Sequence, residues 1–544
     1  MPLLPKRKPK PRPKKRPVCP PAKRGRKRPK GCVPAKPKTA SKRPRVTPKA
    51  TPVFVPANPA VSAQAPLPAP AVPGAGPATS PPPPGGPPAP APPAAGVLPT
   101  IAVFGAREAE RLLWRAGFGP RPGDVERFVA LGLDAAVESL VRPTGPAQLV
   151  GPAPTDRDGR ALAPADLWGH DHCWWLDRMV RSDQPLAERM TLVWHDWFAT
   201  SDEKVGSRQL MLDQNAVLRR NALGSFTTLL TEVTRDPAML LWLDAISNRK
   251  LEPNENHARE LMELFTLGAG RGAYTEADVR ELARAMTGWR ADWRAGVGWT
   301  DFRFDATRHD TTTKTVFGRT GTWGYADATR LCLEHPAHAG FLVAKLWGTF
   351  VGERLDAATQ ARLEALYVGG DREVAPVLEA ILKHPALYEG AALVKPPVVL
   401  TAGLLRMLGR GVDTTDWAWL GDQAGQMLFV PPNVSGWDDA AWLDTSTWRA
   451  RWNLVAHALR DRTIDAWTTP PYDTAETPGT AVQRAVAWAG APAVTAEQRA
   501  ALLDFAAAAV PASGLASWQQ GPYRAQRQNA LRLLLLTAAD YQVS

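Results

Sequence analysis

The stretch LEPNENHARELMELFTLG, residues 251–268, combines the densest polar cluster of the chain with the apolar stripe of a helix. At 100° per residue, Leu261, Leu264 and Phe265 fall on one apolar stripe, which is the arrangement of a helix that buries one face. The spacing predicts a helix over 254–268, packed in a core of other helices. The sequence on both sides has the same periodicity, so the body of the protein is expected to be mainly α.

Helical periodicity recurs from about residue 106 onward. Within 185–198, four apolar residues share a stripe: Leu186, Met190, Val193 and Trp197. Thr275, followed three residues later by Asp278, is typical of a helix N-cap and predicts a helix that runs to Met286. Further helices are predicted at 107–116, 124–131, 133–141, 204–221, 325–334, 337–351, 371–383, 393–410, 445–461, 495–509 and 523–539.

One region has a different pattern. Residues 299–323, WTDFRFDATRHDTTTKTVFGRTGTW, alternate and are rich in Thr, Phe and Trp, as the strands of a β-hairpin are. The predicted fold class is therefore mainly α. It comprises a multi-helix body with a small β-hairpin insertion, preceded by a disordered basic tail and a Pro/Ala-rich linker.

Charge is distributed unevenly along the 544 residues. The chain has 66 Lys and Arg against 53 Asp and Glu, a net charge of +13. Residues 1–50 contain 20 of the basic residues and no acidic residue, so the rest of the chain has a net charge of −7. Prolines interrupt the basic run and apolar residues are sparse there, which predicts a disordered tail. Residues 51–100 hold 18 Pro, 12 Ala and no charge, a composition typical of an extended spacer.

These changes in composition divide the chain into four segments. We predict a basic tail at 1–50, a linker at 51–103, a helical core domain at 104–470, and a C-terminal helical extension packed on the core at 471–544. The part after the linker, about 440 residues, is long enough for a large core and two packed subdomains.

Several classes of protein are not supported by the sequence. No run approaches the roughly 18–20 apolar residues of a transmembrane helix. The basic, proline-rich start shows no export signal, so the cytoplasm is the default expectation. The cysteines are too scattered for a disulfide framework or a zinc site. No Walker loop, G-x-S-x-G elbow, H-E-x-x-H motif or dinucleotide glycine fingerprint occurs, so the common nucleotide, zinc-protease and α/β-hydrolase mechanisms lack support.

The densest polar cluster lies in the helix quoted first. Glu255, Arg259 and Glu263 share a face at i, i+4 and i+8. Carboxylates fixed by an arginine at a helix start could bind a divalent metal or act as acid and base. The same spacing would also make an ion-pair ladder that only joins helices. His257 and Glu260 have the i, i+3 spacing found in carboxylate-bridged metal bundles. Because only one such pair is present, the spacing is a weak indication of a metal site.

Two other histidines are candidates for chemistry. His195 lies opposite the apolar stripe of its helix, so it faces either solvent or a second, polar interior, while the adjacent Asp196 points elsewhere on the helix. His309 and Asp310 fall at the tip of the predicted hairpin, where a loop can present side chains to a cleft. A histidine beside a carboxylate can ligate a metal or serve as an oriented base.

All 21 tryptophans lie in the body of the chain, and several cluster near its end. Residues 431–452 read PPNVSGWDDAAWLDTSTWRARW. Trp437, Asp438, Asp439 and Trp442 would suit a platform for stacking sugars flanked by carboxylates. Tryptophans also bury their large area in ordinary cores, which is the alternative here.

Seven motifs taken together resemble the bacterial domain-of-unknown-function 1800 family, over about residues 106–460. They are AERLLWRAGFGPRPGDVERFVALGLDAAVESLV (109–141), PLAERMTLVWHDWFATS (185–201), PNENHARELMELFTLG (253–268), YTEADVRELARAMTGW (274–289), HD with K (309–314), VKPP (394–397) and PPNVSGW (431–437). The resemblance implies a predominantly helical body and assigns no reaction. Many relatives carry export signals, so it also implies an exported or envelope-associated protein.

The resemblance draws attention to the residues within its motifs. These are His195, Asn254, Glu255, Asn256, Arg259, Glu260, Glu263, His309, Asp310 and Asn433. The chain departs from the family's common pattern at two positions. Trp197 stands where relatives commonly have a second histidine, and His257 stands where an aromatic residue often follows Asn-Glu-Asn.

The leading functional hypothesis is a hydrolase-like body with a polar cleft. Residues 254–263, His195 and the 309–310 hairpin would build the cleft. The catalytic candidates are Glu255, Arg259, Glu263, His195, His309 and Asp310, of which Glu255, Glu263 and Asp310 would be acid–base or metal-binding groups. Arg259 would orient a carboxylate or an anionic substrate. A divalent metal is a possible cofactor.

The alternative is a non-catalytic binding or scaffolding protein of the cell envelope or nucleoid. Under either hypothesis, residues 1–50 are predicted to bind a polyanion through counterion release. Nucleic acid, anionic wall polymer and acidic membrane surface are the candidates. The tail has almost no aromatic residues, so base stacking and sequence-specific recognition are not expected. The sequence leaves the oligomeric state open.

Overall fold

Helices form most of the structure, a computed structural model that describes residues 98–467, 473, 475–492, 494–511 and 513–544. Short antiparallel strands are inserted among the helices. The prediction of a mainly α fold with a small β-hairpin insertion is confirmed. The predicted basic tail, and the linker as far as residue 97, lie outside the described residues.

The α-helices of the described chain are α1 (Ala106–Arg115), α2 (Asp124–Val141), α3 (His170–Arg181), α4 (Pro185–Trp197), α5 (Asp202–Val205), α6 (Arg208–Arg220), α7 (Phe226–Val233), α8 (Pro237–Trp242), α9 (Asn256–Glu260), α10 (Glu276–Ala285) and α11 (Tyr325–Leu333). They continue with α12 (Ala337–Phe350), α13 (Ala357–Gly369), α14 (Val374–Lys383), α15 (Pro385–Glu389), α16 (Pro397–Met407), α17 (Asp416–Gln423), α18 (Thr445–Leu459), α19 (Pro478–Trp488), α20 (Ala496–Ala509) and α21 (Ser517–Thr537). Short 3₁₀ helices occupy Ala245–Ser247, Ala306–Arg308, Asp439–Leu443 and Ala539–Gln542.

Helix α4 lies between two hydrophobic clusters. Its residues Leu186, Met190 and Trp197 belong to the first cluster, to which α7 and α10–α15 contribute. Leu192 belongs to the second cluster, which is built mainly by α3 and α16–α21. Because two faces of α4 are covered, its polar residues are placed in the interior. Helix α3, which was not among the predicted helices, is buried on nearly all sides, and several of its polar residues lie in the interior.

The stretch 251–268 is helical as predicted, but its second half is not an α-helix. Helix α9 continues as a π-helix over Leu261–Thr266, where the amide of Leu267 donates to the carbonyl of Met262 at 2.8 Å. A π turn holds more residues than an α turn, so faces calculated at 100° per residue are displaced beyond Glu260. Leu261 and Phe265 are buried as expected, whereas Leu264 is half-buried.

The predicted β-hairpin is present as two separate hairpins. Strand β1 (Trp289–Arg294) pairs with β2 (Gly298–Phe304), and β3 (Lys314–Val316) pairs with β4 (Arg319–Gly321), both antiparallel. Phe317 and Gly318 both have positive φ, which suits the tight two-residue turn between β3 and β4. The predicted position of 309–310 at a hairpin tip is therefore wrong, because these residues lie in the connection from β2 to β3.

Helices α19, α20 and α21 pack on one another, and α21 also contacts α18. Through these contacts the C-terminal helices share the second cluster with α3 and α16. The boundary predicted at residue 470 stays a prediction. Among the helices that the structure describes, none combines the length and apolar character needed to cross a membrane.

Candidate functional site

The charged face of α9 forms an ion-pair network at the surface. The Nη2 atom of Arg259 lies 3.1 Å from Oε2 of Glu255 and 2.7 Å from Oε2 of Glu276 at the start of α10. The π turn carries Glu263 away from this network, and its carboxylate accepts a 3.4 Å hydrogen bond from the hydroxyl of Tyr274. The Glu255 side chain is 38% exposed. This group therefore resembles a solvent-facing ladder that ties α9 to α10.

The second predicted pair, His309 and Asp310, organises the loop between the two hairpins. Asp310 Oδ2 accepts from Arg284 Nε at 2.8 Å, and Oδ1 accepts from the amide of Thr312 at 2.9 Å. Although partial burial disfavours its charge, hydrogen bonds from Thr312 and Arg284 hold the pKa of Asp310 well below its ordinary value. His309 Nδ1 lies 3.0 Å from the carbonyl of Thr287. These contacts make Asp310 a fixed anion.

His195 lies in an aromatic cage inside the second hydrophobic cluster. Its ring centroid is 5.3 Å from that of Trp175, 5.7 Å from that of Phe429 and 5.5 Å from that of Trp437. Burial lowers the pKa of His195 to about 3, so the imidazole is neutral at physiological pH. The histidine is thus turned into an interior, as one of the two sequence alternatives allowed, but that interior is aromatic.

The structure brings two of the predicted groups near one helix and leaves the third apart. Helix α10 carries Glu276, the partner of Arg259, near its start and Arg284, the partner of Asp310, near its end. Within the described ranges, no hydrogen bond, ion pair or ring contact joins His195 to either group. A search of the same residues finds no set of three or more His, Cys, Asp or Glu side chains placed to hold a metal ion.

A cleft of about 440 Å³ lies beside α4. Three segments that are distant in sequence meet at its wall: α4, the Val394–Pro396 segment and the loop before α18. The polar and aromatic residues that line it include Arg115, Arg189, Asp196, Lys395, Trp437 and Trp442. A larger cavity of about 720 Å³, lined by residues such as Met407 and Trp488, contains no residue of these three segments. The 440 Å³ cleft is therefore the stronger candidate.

A tight turn places Asp196 at this cleft. The side chain of Asn433 accepts from the amide of Ser435 at 2.8 Å, and Gly436 follows with a φ of 93°. The turn directs the amide of Trp437 to Oδ1 of Asp196, at 2.9 Å. A Cβ atom at position 436 would overlap the Asp196 carboxylate. Glycine is thus required here both for the left-handed backbone and for the close approach.

Asp196 and Lys345 form an electrostatic pair beside the cleft. Burial raises the pKa of Asp196 to about 6, against the opposing effects of the Trp437 amide and the positive charge of Lys345. Burial lowers the pKa of Lys345 to about 8, although Asp196 acts in the other direction. The Lys345 Nζ atom lies 4.2 Å from the ring centroid of Trp197. The two charges influence each other, yet no ion pair within 4 Å joins them.

Comparison with known protein families bears on this arrangement. The model of the family described as "Protein of unknown function (DUF1800)" matches residues 111–543. The chain belongs to the DUF1800 family. The match extends beyond residue 460, where the recognisable motifs end, and includes α19–α21. Neither the curated proteins nor the solved structures that were searched contain a match.

Three DUF1800 motifs converge on the cleft through their main chains as well as their side chains. The motif at 185–201 supplies Asp196, and the motif at 431–437 supplies the turn that binds it. In the VKPP motif, Lys395 Nζ donates to the carbonyl of Tyr541 at 2.7 Å, and the carbonyl of Lys395 accepts from Arg451 at 2.8 Å. The DUF1800 motifs thus meet in space at a place that their separate sequences do not indicate.

The two departures from the common DUF1800 pattern are both buried residues with structural partners. The indole of Trp197 donates to the carbonyl of Phe265 at 3.1 Å and so links α4 to the π-helix. His257 Nδ1 lies 3.2 Å from the hydroxyl of Tyr325, which donates to the carbonyl of Thr234. Each side chain fills a position in the first hydrophobic cluster or against it.

The sequence reasoning does not select the charged residues of the cleft. Asp196 was visible beside His195, and Trp437 and Trp442 were visible as a possible stacking platform. Arg189 and Lys345, by contrast, resemble ordinary helix-surface residues in sequence. Arg189 lies in α4, which is covered by both hydrophobic clusters, whereas Lys345 lies in α12, which contributes to the first cluster. No local pattern in the sequence indicates the burial of either residue.

Proposed function

We propose that the helical body is an enzyme that performs acid–base chemistry, of the hydrolytic kind, in the cleft beside Asp196. The observation that carries this proposal is the pairing of Asp196 with Lys345. Burial moves the pKa of the acid up to about 6 and that of the base down to about 8, so both lie close to neutrality. Perturbed groups of opposite kind in a cleft are characteristic of catalytic sites.

At pH 7 the two groups are in complementary states. Asp196 is mostly ionised and is able to accept a proton from a water molecule. Lys345 is mostly protonated and is able to donate a proton to a departing group. Asp196 lines the cleft, and Lys345 lies in α12 one helical turn before Gly348 and Thr349, which also line it. No ion pair within 4 Å occupies the two charges. His195 is neutral and packs against Trp437, so it supports the loop that positions Asp196.

The experiment is a screen of the full chain against carboxylic and phosphoric ester substrates, with three variants. Asp196→Asn and Lys345→Met should each lower turnover about 100-fold or more, the usual size of a lost general base or acid. Glu255→Gln is the matched carboxylate change outside the cleft and should leave turnover unchanged. Turnover that survives both cleft variants, or no turnover on any substrate, would refute the proposal and favour a binding or scaffolding protein.

The acid–base or metal-binding role of Glu255, Glu263 and Asp310 stays a prediction. Two of these carboxylates are engaged by arginines, Glu255 by Arg259 and Asp310 by Arg284. Loss of turnover in Glu255→Gln but not in Asp196→Asn would favour that site instead.

A second proposal concerns the basic segment. We propose that residues 1–50 bind a polyanion, because they carry 20 Lys and Arg without an acidic residue while the rest of the chain is negative. Binding of this kind weakens steeply as salt is added, because releasing bound counterions into a more concentrated salt solution gains less free energy. The full chain and a variant lacking residues 1–50 should be compared on DNA and on anionic wall polymer, at roughly 50 and 200 mM salt. Equal binding by both chains would refute the proposal.

A further inference from the structure

Arg189 in α4 is a buried cation for which the described protein supplies no partner. The residue is 7% exposed and lines the 440 Å³ cleft. Throughout the described ranges, no hydrogen bond or ion pair reaches its guanidinium, and Nε and Nη1 are also shielded from solvent. A guanidinium has five N–H donors, and charges removed from water are normally paired. The free protein therefore holds this charge at an energetic cost.

Other buried arginines close to α4 are arranged differently. Arg115, also on the cleft wall, donates to the carbonyls of Phe350 at 2.6 Å and Ser544 at 2.9 Å. Arg406, outside the cleft, donates to the carbonyl of Gly119 at 2.9 Å. Both arginines are thus satisfied by main-chain oxygens, and Arg406 also lies 3.5 Å from Oδ2 of Asp124. Arg189 thus stands out as a donor group with no structural task visible in its contacts.

Two neutral donors at the same cleft also lack acceptors. The indole Nε1 atoms of Trp437 and Trp442 are buried and have no hydrogen-bond partner in the described protein. Asp196, one of the two acidic side chains of the cleft wall, already accepts from the Trp437 amide. Asp439 is the other acidic residue of the wall, against three cations, Arg115, Arg189 and Lys395. Arg115 and Lys395 already donate to backbone oxygens, so Arg189 and the two indoles are the donors of the cleft wall that remain without an acceptor.

We infer that the cleft binds a small molecule through a compact oxyanion, a carboxylate or a phosphate, with the guanidinium of Arg189 as its receptor. Both groups offer only acceptor oxygens and carry the negative charge that a guanidinium pairs with. Of the three guanidinium nitrogens of Arg189, Nη2 is the one that is not shielded from solvent and so faces such an anion. Trp437 and Trp442 line the same cleft and supply flat apolar faces for the rest of the molecule. The volume lies within the range of roughly 300–1,000 Å³ found for small-molecule sites.

This inference rests on the cleft of the proposed function and names the charged group of its substrate. It requires binding but no particular reaction. Saturable anion binding by a protein without turnover would leave the inference standing and the proposed function refuted. Turnover that is unchanged in Arg189→Met would leave the proposed function standing and refute the inference.

The test uses the full chain, titrated by calorimetry with inorganic phosphate, acetate, benzoate and phenyl phosphate, at ionic strength held constant with potassium chloride. Arg189→Met removes the charge and keeps the length of the side chain. We expect it to weaken binding of the preferred anions at least tenfold. The basic N-terminal segment is the same in every variant, so its non-specific anion binding cancels in the comparison.

A matched control separates recognition from folding. Arg406→Met removes a buried arginine that is hydrogen-bonded and lies outside the cleft, so it should lower the melting temperature of the free protein and leave anion affinity unchanged. Arg189→Met removes an unpaired buried charge, so it should keep or raise the melting temperature of the free protein. It should also abolish the rise in melting temperature that the anion causes in the wild type.

Three results would overturn the inference: no saturable anion binding by the wild type, equal affinity in Arg189→Met, or a melting temperature that falls in Arg189→Met as it does in Arg406→Met. If Arg189→Met does not fold, Arg189→Lys serves in its place. It keeps the charge without the guanidinium and should weaken binding about tenfold, and wild-type affinity in that variant would also overturn the inference. Preference between carboxylates and phosphates then identifies the oxyanion.

Discussion

The main-chain amide of Trp437 donates a 2.9 Å hydrogen bond to Oδ1 of Asp196, across 241 residues of sequence. This single contact connects α4, which lies between the two hydrophobic clusters, to the loop that precedes α18. It holds the Asp196 carboxylate against one wall of the cleft and leaves its other oxygen available. The geometry depends on Gly436, the residue just before the donor, which has no side chain to displace the carboxylate.

Gly436→Ala should therefore damage the cleft more than an ordinary glycine substitution does. The new Cβ would overlap Asp196 and would also occupy a left-handed backbone conformation, at a combined cost of about 1–3 kcal/mol. Thermal unfolding and turnover should both be measured. Gly318→Ala is the control, because its φ is also positive, 70°, but a Cβ there meets no atom within 4 Å. Equal losses in the two variants would contradict the role assigned to Gly436.

Turnover in the cleft should follow a bell-shaped pH profile. Its acidic limb should lie near pH 6, where Asp196 becomes ionised, and its alkaline limb near pH 8, where Lys345 loses its proton. Lys345→Met removes a nearby positive charge, so the acidic limb should move to higher pH as the carboxylate loses that stabilisation. Lys345→Arg keeps the charge and should leave the acidic limb in place. A profile that neither variant changes would assign both limbs to other groups.

Asp310→Asn should destabilise the protein by about 1–3 kcal/mol at neutral pH, since it weakens charged hydrogen bonds from Arg284 and Thr312. The pKa of Asp310 is depressed in the folded state, so its stabilisation is present above the unfolded pKa of about 3.9 and is lost as pH falls through the lower folded value. Denaturant unfolding of both proteins at pH 7 and pH 3 checks this. The difference in the free energy of unfolding between the two proteins should be smaller at pH 3 than at pH 7. A larger difference at pH 3 would contradict the prediction.

The charged face of α9 should contribute little to the stability of the folded protein. Glu255→Gln should cost less than about 0.5 kcal/mol, because a 38% exposed carboxylate gains little from its pairing with Arg259. A double-mutant cycle of Glu255→Gln with Arg259→Met measures the coupling directly. A coupling energy above about 1 kcal/mol would show that the network does more than the exposed geometry indicates.

Much of the fold was predictable from sequence because helices depend on local information. The stripe at Leu261 and Phe265 and the N-cap at Thr275 are properties of neighbouring residues, and the structure contains both. The π turn after Glu260 was not predictable in this way, since it breaks the fixed angle per residue on which the pattern depends. It is the reason that Glu263 does not continue the ladder of Glu255 and Arg259.

The candidate site, like the fold, was predictable from the sequence only in part. Sequence alone determined the family motifs, the mainly helical body, the acid-free basic segment at 1–50 and the prominence of His195 and Trp437. Only the tertiary structure decided that Arg189, Asp196 and Lys395 share one cleft. Their contact depends on α4 being covered on two faces by separate hydrophobic clusters, which is a consequence of long-range packing. Burial in that packing also shifts the pKa values of Asp196 and Lys345, and no local pattern encodes burial of this kind.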